Sequence, residues 1–370
     1  MLNVDYHWEK LDTCIVGSCY PPDFFSFIKD SKVRNVMEQV AEETIEDLDN
    51  LVKLLESFGV KTLRPNLDNI ENYIIGNKVL PPPITPRDHI ATIGNKVFMP
   101  STDNRKKWNQ LRGIKWPLDP PKSQDEFNNL PDTIKKELFD FWKIDKVEDL
   151  YNFDFTVYKE IEEHIKCTNE IIYNQDIDSA MVIRSGKNLY FGTWPWQSED
   201  QVLKQAKRLF PDYNCHVIDS QGHLDGCICV VSPDLVLTSD YVSEELIKKL
   251  FNNHEIIKIP IKEFVDPKFK EAKKLTQGKW WIKGQENNRE LINFINLYFK
   301  SWIGYTEETI NAINMLHIDK NNIVCIGEDP ELLKKFKNHQ IDVHPIKFRH
   351  LNFWDSGVHC LTNDLSRIKT

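Results

Sequence analysis

The apolar and polar positions of this chain repeat one plan in four places. Each repeat has two short apolar runs around a turn of Gly, Asn, Asp, Pro or Lys residues, which is typical of a β-hairpin. Polar residues stand just ahead of the first apolar run. Units that repeat in this way pack on their neighbours, so the same end of each unit is expected to point to one place. The four hairpins are predicted at residues 88–99, 180–192, 227–238 and 313–327.

Amphipathic helices and return strands complete the repeated unit. Helical patterns follow the last three hairpins, and two of them begin after a good capping residue, Ser243 or Asp329. Return strands are predicted at residues 214–218, 255–260 and 341–346. An N-terminal copy lacks the hairpin but has a strand at Ile15, an amphipathic helix over residues 40–58 and a strand over residues 60–64. This copy makes five units if the N-terminal strand helps to close a ring.

Two long segments interrupt the repeats. The segment at about 101–175 is polar and mostly helical in pattern, with a Pro-rich piece at Trp116 that cannot continue a helix, so it is a candidate wall or lid. The segment at about 264–311 is expected to pack helices against the outside of the core. Although 370 residues would ordinarily suggest two or three domains, the repeat favours one domain over residues 1–370 with two helical insertions.

Charge and composition narrow the class of function. The chain has 47 Lys and Arg residues against 56 Asp and Glu residues, which gives a net charge of -9. General affinity for nucleic acid or for an anionic membrane is therefore not expected, and small-molecule chemistry is favoured. The 41% of hydrophobic residues can bury a substantial core.

The N-terminal residues lack the features of a signal or transit peptide, and no apolar run approaches the roughly 20 residues that span a bilayer. We therefore expect a cytoplasmic protein. The 8 cysteines are scattered without the regular spacing of a secreted disulfide scaffold. Most of them are expected to be reduced.

Cys360 is the first candidate for chemistry. A free cysteine is more often a small buried hydrophobe, but Gly357 and the polar residues around Cys360 indicate a turn. A thiol is mostly protonated at neutral pH, so a nucleophilic cysteine needs a base or a cationic substrate beside it. His223 is the candidate base.

His223 and Asp225 form a His-x-Asp pair between Gly222 and Gly226. In an extended strand, side chains two residues apart lie on the same side, so one group can transfer protons while the other binds a cation. The flanking glycines permit a ligand to approach the backbone. A histidine in a surface loop is the plain alternative.

Several other candidates are weaker. Asp88, Asp176 and Asp178 precede strands, where Asp usually serves turn chemistry. Cys227 and Cys229 form a Cys-x-Cys pair, but there is no second pair at zinc-ligand spacing, so we interpret them as buried strand residues. No Gly-x-Ser-x-Gly motif supports a serine hydrolase.

Several of these stretches together resemble the amidinotransferase family, the relatives of glycine amidinotransferase among the guanidino-group-modifying enzymes. The C-terminal stretch Ser356-Gly-Val-His-Cys-Leu-Thr resembles the nucleophile motif of that family. The likeness covers the whole chain, and the motifs occur in the same order. The other similar stretches are Trp8–Gly17, Pro86–Asp88 with Ile93–Asn95, Gly222–Asp225 and Asn314–Asp319.

This resemblance implies an α/β fold of the pentein type, a five-bladed pseudo-symmetric α/β propeller with its active site on the axis. It further implies that the Cys360 thiolate attacks a guanidinium carbon and that His223 protonates the departing amine, leaving an amidino-cysteine intermediate. An acceptor amine then takes the amidino group. Asp88 and Asp225 are expected to hold the guanidinium through charge-assisted hydrogen bonds. The scheme needs no cofactor and no metal, and the resemblance allows a homodimer.

The chain departs from the family pattern near Arg184. Where the family has Asp-Ala-Ala-Asp before Phe-Ile-Arg, this chain has Asp178-Ser-Ala-Met181 before Val-Ile-Arg184. Asp178, Met181 and Arg184 are therefore expected to line the substrate site, with Met181 replacing a second carboxylate. An arginine expected near Val242, which would grip a substrate carboxylate, has no counterpart.

Three hypotheses follow from the sequence. The first is an amidinotransferase that moves an amidino group from arginine, or a similar guanidino donor, to glycine or another small amine. The second is a guanidine hydrolase in which water replaces the acceptor amine. The third is a non-catalytic propeller that binds a ligand without turnover.

Overall fold

Small three-stranded sheets are the repeated units of the structure. The computed structural model describes residues 1–68, 74–75, 78–79, 81–99, 129–136, 155–173, 179–193, 197–220, 222–259, 280–299, 313–327 and 329–369. The strands in these residues are β1 Lys10–Val16, β2 Lys61–Leu63, β3 Ile74–Ile75, β4 Lys78–Val79, β5 Ala91–Ile93, β6 Lys96–Met99, β7 Ile171–Tyr173, β8 Val182–Ser185, β9 Asn188–Gly192, β10 Asn214–Ile218, β11 Ile228–Ser232, β12 Leu235–Ser239, β13 Glu255–Ile259, β14 Leu316–Asp319, β15 Asn322–Ile326, β16 Asp342–Ile346 and β17 Thr362–Ile368.

Five sheets share one topology, in which an antiparallel pair is followed by a parallel third strand. Within the described residues they are the separate open sheets β17-β1-β2, β5-β6-β7, β8-β9-β10, β11-β12-β13 and β14-β15-β16, beside the small hairpin β3-β4. All four predicted hairpins and the three predicted return strands are confirmed. The α/β class is confirmed as well.

The two chain ends together build the fifth sheet. Strand β1 pairs antiparallel with β17 and parallel with β2, so β17 takes the place that the first hairpin strand has in the other sheets. This confirms the predicted fifth copy of the unit. It also means that the residues just ahead of β17 are equivalent to those ahead of β5, β8, β11 and β14.

Helices link the second and third strands of the units. The helices in the described residues are α1 Ser31–Ser57, α2 Lys159–Lys166, α3 Glu199–Leu209, α4 Glu244–Leu250, α5 Arg289–Tyr298, α6 Pro330–Asn338 and α7 Leu351–Trp354. The predicted caps are confirmed: the Ser243 side chain accepts from the Leu246 N–H, and Asp329 accepts from two N–H groups of the first turn of α6. None of the helices in the described ranges has the length and apolar character needed to cross a membrane.

Helix α1 is longer than the sequence pattern predicted. It begins at Ser31 because the Asp30 side chain accepts from the Lys32 N–H, ahead of the apolar stripe on which the prediction rested. Its buried residues, including Leu48, Leu51 and Leu55, pack in the largest hydrophobic cluster. The helix therefore covers one side of the terminal sheet.

The first predicted insertion reaches less far than expected, because residues 155–173 belong to the unit that contains β5 and β6. They form α2 and β7, and β7 pairs parallel with β6. Of the remainder, only residues 129–136 are described. In the second predicted insertion, Trp280 and Trp281 are buried and α5 follows them, whereas residues 264–279 and 300–311 lie outside the described residues.

Candidate active site

A short turn precedes the first strand of each sheet and delivers one polar or sulfur-bearing side chain. Three of these turns are 3-10 helices, Pro86–Asp88, Ser179–Met181 and Leu224–Gly226, and the Ser179–Met181 turn contacts the other two. The fourth position is held by Asn314 and the fifth by Cys360, each two residues before its strand. The residues that the five turns carry just ahead of their first strands are Asp88, Met181, Asp225, Asn314 and Cys360.

The turn that carries Cys360 is fastened from several sides. The Leu361 N–H donates to the Gly357 carbonyl at 3.0 Å, which closes the turn. The buried Arg87 donates through Nε to the carbonyls of His359, at 3.2 Å, and Thr362, at 3.1 Å. These contacts fix the backbone on both sides of the thiol.

Asn314 contacts Cys360, the candidate nucleophile, through both polar atoms of its side-chain amide. Its Nδ2 donates to Cys360 Sγ at 3.1 Å, and its Oδ1 accepts from the Cys360 N–H at 3.1 Å. A Cβ atom on Gly357 would lie 2.6 Å from the Asn314 Cβ, so this approach requires glycine at position 357.

Asp225 stands beside the thiol. Its Oδ2 lies 3.8 Å from Cys360 Sγ and 2.6 Å from Nδ1 of His359. All three side chains are buried. The structure therefore brings together Cys360 and Asp225, which the sequence analysis had placed in one site.

The electrostatic surroundings disfavour a thiolate in the protein alone. Burial and the negative charges of Asp225 and Asp88 raise the pKa of Cys360 well above its ordinary value. The hydrogen bonds from Asn314 and the Gly357 backbone act in the opposite direction and are outweighed. A cation placed among these carboxylates would reverse the balance and favour the thiolate.

His223 lies two residues before Asp225, at the start of the Leu224–Gly226 turn. Its carbonyl accepts from the Gly226 N–H at 3.3 Å, and the residue is partly exposed. The hydrogen bonds described for the Cys360 thiol go to Asn314 and Asp225. His223 thus shares a turn with the site, and its role as general acid and base remains a prediction.

Met181 and Asp178 are the candidates from the second unit. Met181 is buried, and a Cβ atom on Gly192 would lie 3.0 Å from its Cε and 2.6 Å from Ser220 Oγ. The Met181 side chain is therefore packed against Gly192 of its own sheet. Asp178 lies outside the described residues.

Arg184 lies in a buried ion cluster, defined here as Asp364 with Arg87, Arg184 and Arg367. Its Nη2 donates to Asp364 Oδ1 at 2.7 Å and its Nη1 to the Thr92 carbonyl at 2.6 Å. These contacts occupy the guanidinium with protein groups, because the side chain is only 2% exposed. Arg184 thus binds protein groups in this structure, and its place in the substrate site remains a prediction.

Asp364 is the anion at the centre of the ion cluster. Arg87 contacts its Oδ1 at 2.6 Å and Arg367 its Oδ2 at 2.8 Å. Burial alone would raise the pKa of Asp364, but Arg184, Arg87 and Arg367 hold it well below its usual range. The cluster carries more positive than negative charge.

A small cavity lies behind Asp225 and His359. Its volume is about 20 Å³, and His7, His317 and Cys229 also line it. It has room for a single water molecule but not for a guanidino compound. Cys227 and Cys229 are buried, as predicted, and no group of side chains in the described part of the chain is arranged as metal ligands.

Two residues of the site were missed as candidates. His359 and Asn314 both stand within the motifs that resemble the amidinotransferase family, but their spacing from other residues predicted no contact for either. The signal for Asn314 was its place just ahead of a first strand, equivalent to that of Asp225. His359 offered no such signal, because its contact with Asp225 joins positions 134 residues apart.

Solved structures with the same fold were found by comparison, whereas no family model and no curated protein sequence matches the chain. An inosamine-phosphate amidinotransferase from Streptomyces griseus superposes with a TM-score of 0.60 at 16% identity, over 100% of this chain and 98% of that one. A saxitoxin-pathway amidinotransferase from Microseira wollei gives a TM-score of 0.61 at 14% identity, over the same shares of the two chains. The chain has an amidinotransferase fold.

The same fold extends to a hydrolase. DDAH from Pseudomonas aeruginosa, a dimethylarginine dimethylaminohydrolase solved with citrulline, gives a TM-score of 0.50 at 10% identity, over 97% of this chain and 100% of that one. The resemblance predicted from the motifs is confirmed. At such identities the amidinotransferase fold does not by itself distinguish transfer from hydrolysis.

Proposed function

We propose that this protein modifies guanidino compounds through a covalent amidino-cysteine at Cys360, and that it is an amidinotransferase. The five units would form a closed ring of five blades around this thiol. The observation that carries the proposal is the 3.8 Å approach of the Asp225 carboxylate to a buried thiol. A carboxylate in this position hinders a thiolate but favours a cation, and the guanidinium group of the donor is a cation.

Substrate binding and activation of the nucleophile are then one event. The guanidinium lies between Asp225 and Asp88, where charge-assisted hydrogen bonds are strong because water is excluded. Its charge cancels the field that raises the pKa of Cys360. The thiol passes its proton to His223 when the donor is bound, and it stays protonated and protected from side reactions when the donor is absent.

The reaction itself is a double displacement. Cys360 Sγ attacks the central guanidinium carbon, a C–S bond forms, and the C–N bond to the donor breaks as His223 protonates the departing amine. The acceptor amine, deprotonated by His223, then attacks the same carbon. The C–S bond breaks, and the released Cys360 thiolate recovers a proton from His223 when the product leaves.

Hydrolysis is the second candidate, because a DDAH shares the fold. In that case water attacks the intermediate, and the product carries a carbonyl oxygen in place of the departed amine. Arginine as the donor would then yield citrulline or urea without any added amine. The third hypothesis, binding without turnover, predicts no covalent intermediate at all.

Intact-protein mass spectrometry with a panel of guanidino compounds tests the proposal. Incubation with the correct donor should add the mass of one amidino group to the native protein and nothing to a Cys360→Ala variant. With an amine present, the adduct should disappear as the amidinated amine forms. Turnover without any amine would instead identify a hydrolase.

Cys229→Ala is the matched control for this experiment. Cys229 is also a buried free cysteine, it lines the cavity behind Asp225, and burial raises its pKa to about 12. The Cys229→Ala variant should form the adduct as the native protein does. Absence of an adduct with every donor, or its persistence in Cys360→Ala, contradicts the proposal.

A further inference from the structure

His359 makes a short hydrogen bond to Asp225, and the proposed reaction gives it no function. Its Nδ1 lies 2.6 Å from Asp225 Oδ2, and both side chains are buried. The carbonyl of His359 accepts from the buried Arg87, so the backbone of the histidine is fixed as well. The ring is therefore held rigidly against the carboxylate that adjoins the thiol.

The hydrogen bond fixes the position of the imidazole proton. An ionised carboxylate only accepts hydrogen bonds, so Nδ1 of His359 carries the proton and donates it. Burial and the charges of Arg87 and His7 lower the pKa of His359 well below its ordinary value, so the ring is neutral. The ring of His7 stacks at a tilt, with 5.6 Å between the two ring centroids.

A neutral donor differs from a cationic one in its effect on Asp225. A protonated imidazole would form an ion pair with the carboxylate and compete with the guanidinium of a donor. A neutral N–H orients the carboxylate and leaves its negative charge available. The ion cluster supports this state, because Arg87 and Arg184 both act against a charge on His359.

We propose that His359 is a positioning residue whose Nδ1–H holds the Asp225 carboxylate in the orientation that faces both Cys360 Sγ and the cationic donor. The donor class rests on the proposed function. The effect of His359 on the thiol does not, because it concerns the protein without substrate.

Two variants of His359 separate hydrogen bonding from packing. His359→Asn keeps an N–H donor near the position of Nδ1, whereas His359→Leu fills the space without a donor. The first readout is the pH dependence of Cys360 alkylation by iodoacetamide in substrate-free protein. It is followed by mass spectrometry of the peptide that holds Cys360, since seven other cysteines are present.

The alkylation midpoint reports the charge beside the thiol. Asp225→Asn should lower the midpoint, because the carboxylate raises the pKa of Cys360. His359→Leu should shift it in the same direction, since the carboxylate is no longer held against Sγ, and His359→Asn should leave it close to that of the native protein. His317→Leu, a change to another buried histidine of the same cavity, is the control and should not shift it.

Turnover of the donor is the second readout. His359→Leu should lower kcat/KM about 100-fold, as expected for a lost hydrogen bond to a charged group, and His359→Asn should recover most of this loss. In protein that already carries Asp225→Asn, adding His359→Leu should lower kcat/KM by less than about threefold further, because both changes act on the same carboxylate.

Equal effects of His359→Leu and His359→Asn on the midpoint, or no effect of either, would overturn the proposal and leave His359 a packing residue. Failure of the proposed function is distinguishable from this result. In that case no guanidino donor forms an adduct with the native protein, while the alkylation midpoints still order as predicted.

Discussion

Asp364 of the ion cluster and Cys360 of the thiol site, defined here as Cys360 with Asp225 and Asp88, stand two residues on either side of Thr362 in the sequence. The two sites balance buried charge in opposite ways. In the ion cluster, Asp364 is matched by arginines, and its pKa is held low. At the thiol site, Asp225 and Asp88 raise the pKa of Cys360. The first arrangement is complete within the protein, whereas the second gains from an added cation.

This difference explains why similar residues have different functions. Asp364 and Asp225 are both buried aspartates, but Asp364 contacts three arginines whereas Asp225 contacts His359 and approaches Cys360 Sγ. Burial lowers the pKa of His359, and Arg87 and Arg184 of the ion cluster lower it further, so the ring stays neutral and does not offset the negative charge of the thiol site. The stabilising cluster and the reactive site are thus connected through one imidazole.

Asp364→Asn should have the largest effect on stability. The change leaves buried arginines without their anion, so we expect the free energy of unfolding to fall by about 3–5 kcal/mol. Urea denaturation followed by circular dichroism measures it. Asp49→Asn is the control, because Asp49 pairs with Arg64 at the surface and should cost less than about 1 kcal/mol. Equal losses in the two variants would contradict the distinction between the clusters.

Mild acid should destabilise the protein through its buried histidines. Burial lowers the pKa of His7 and His359 well below 6.5 and that of His317 to about 3. Between these values and about 6.5 the unfolded chain binds more protons, so stability falls as pH falls. Each of these histidines should lower the free energy of unfolding by about 1.4 kcal/mol as the pH falls from 7.5 to 5.5.

Urea titrations at pH 7.5, 6.5 and 5.5 check the pH prediction. A His317→Asn variant should show a shallower decline, because one of the buried histidines no longer titrates. Asp364 affects stability at lower pH than the histidines do. Because its pKa is depressed in the folded state, the stabilisation that it provides is lost only as the pH falls through that lowered pKa. A decline of unchanged steepness in His317→Asn would argue against a buried neutral imidazole.

Asn314→Ala should have the smallest of these effects. Its amide donates to Sγ and lowers the pKa of Cys360, so its loss should slow alkylation of substrate-free protein about tenfold below the midpoint. Asn169→Ala removes another buried amide, one that bonds to backbone groups of Leu2 and Asn95, and serves as control. Slower alkylation in both variants would point to general loosening rather than to the hydrogen bond at Sγ.

Much of the architecture was readable from local patterns. Alternating apolar runs around Gly94 or Asn321 predict hairpins because side chains in strands alternate between two faces, and Ser243 or Asp329 marks a helix start because its side chain satisfies a free N–H. Boundaries were less predictable. The start of α1 at Ser31 lies ahead of the apolar residues on which its prediction rested, and β7 was hidden within a polar segment.

The repeat also indicated which residues come together. Because each first strand follows a turn at the same end of its unit, the repeat predicts that Cys360, Asp225 and Asp88 point to one place, while their joint role in a substrate site came from the family resemblance. The contacts of Arg184 could not be predicted. It follows the second turn and stands on β8, and sequence offers no measure of whether a guanidinium meets a ligand or the carboxylate of Asp364.

The chain by itself determined the repeated units, their caps and the residue types that meet at their ends, since these depend on periodicity and on contacts between near neighbours. Tertiary structure alone decided the state of each charge. Whether Asp364 is neutralised, whether His359 is protonated and whether Cys360 ionises depend on groups brought from distant strands into a water-poor interior, where electrostatic interactions are strong.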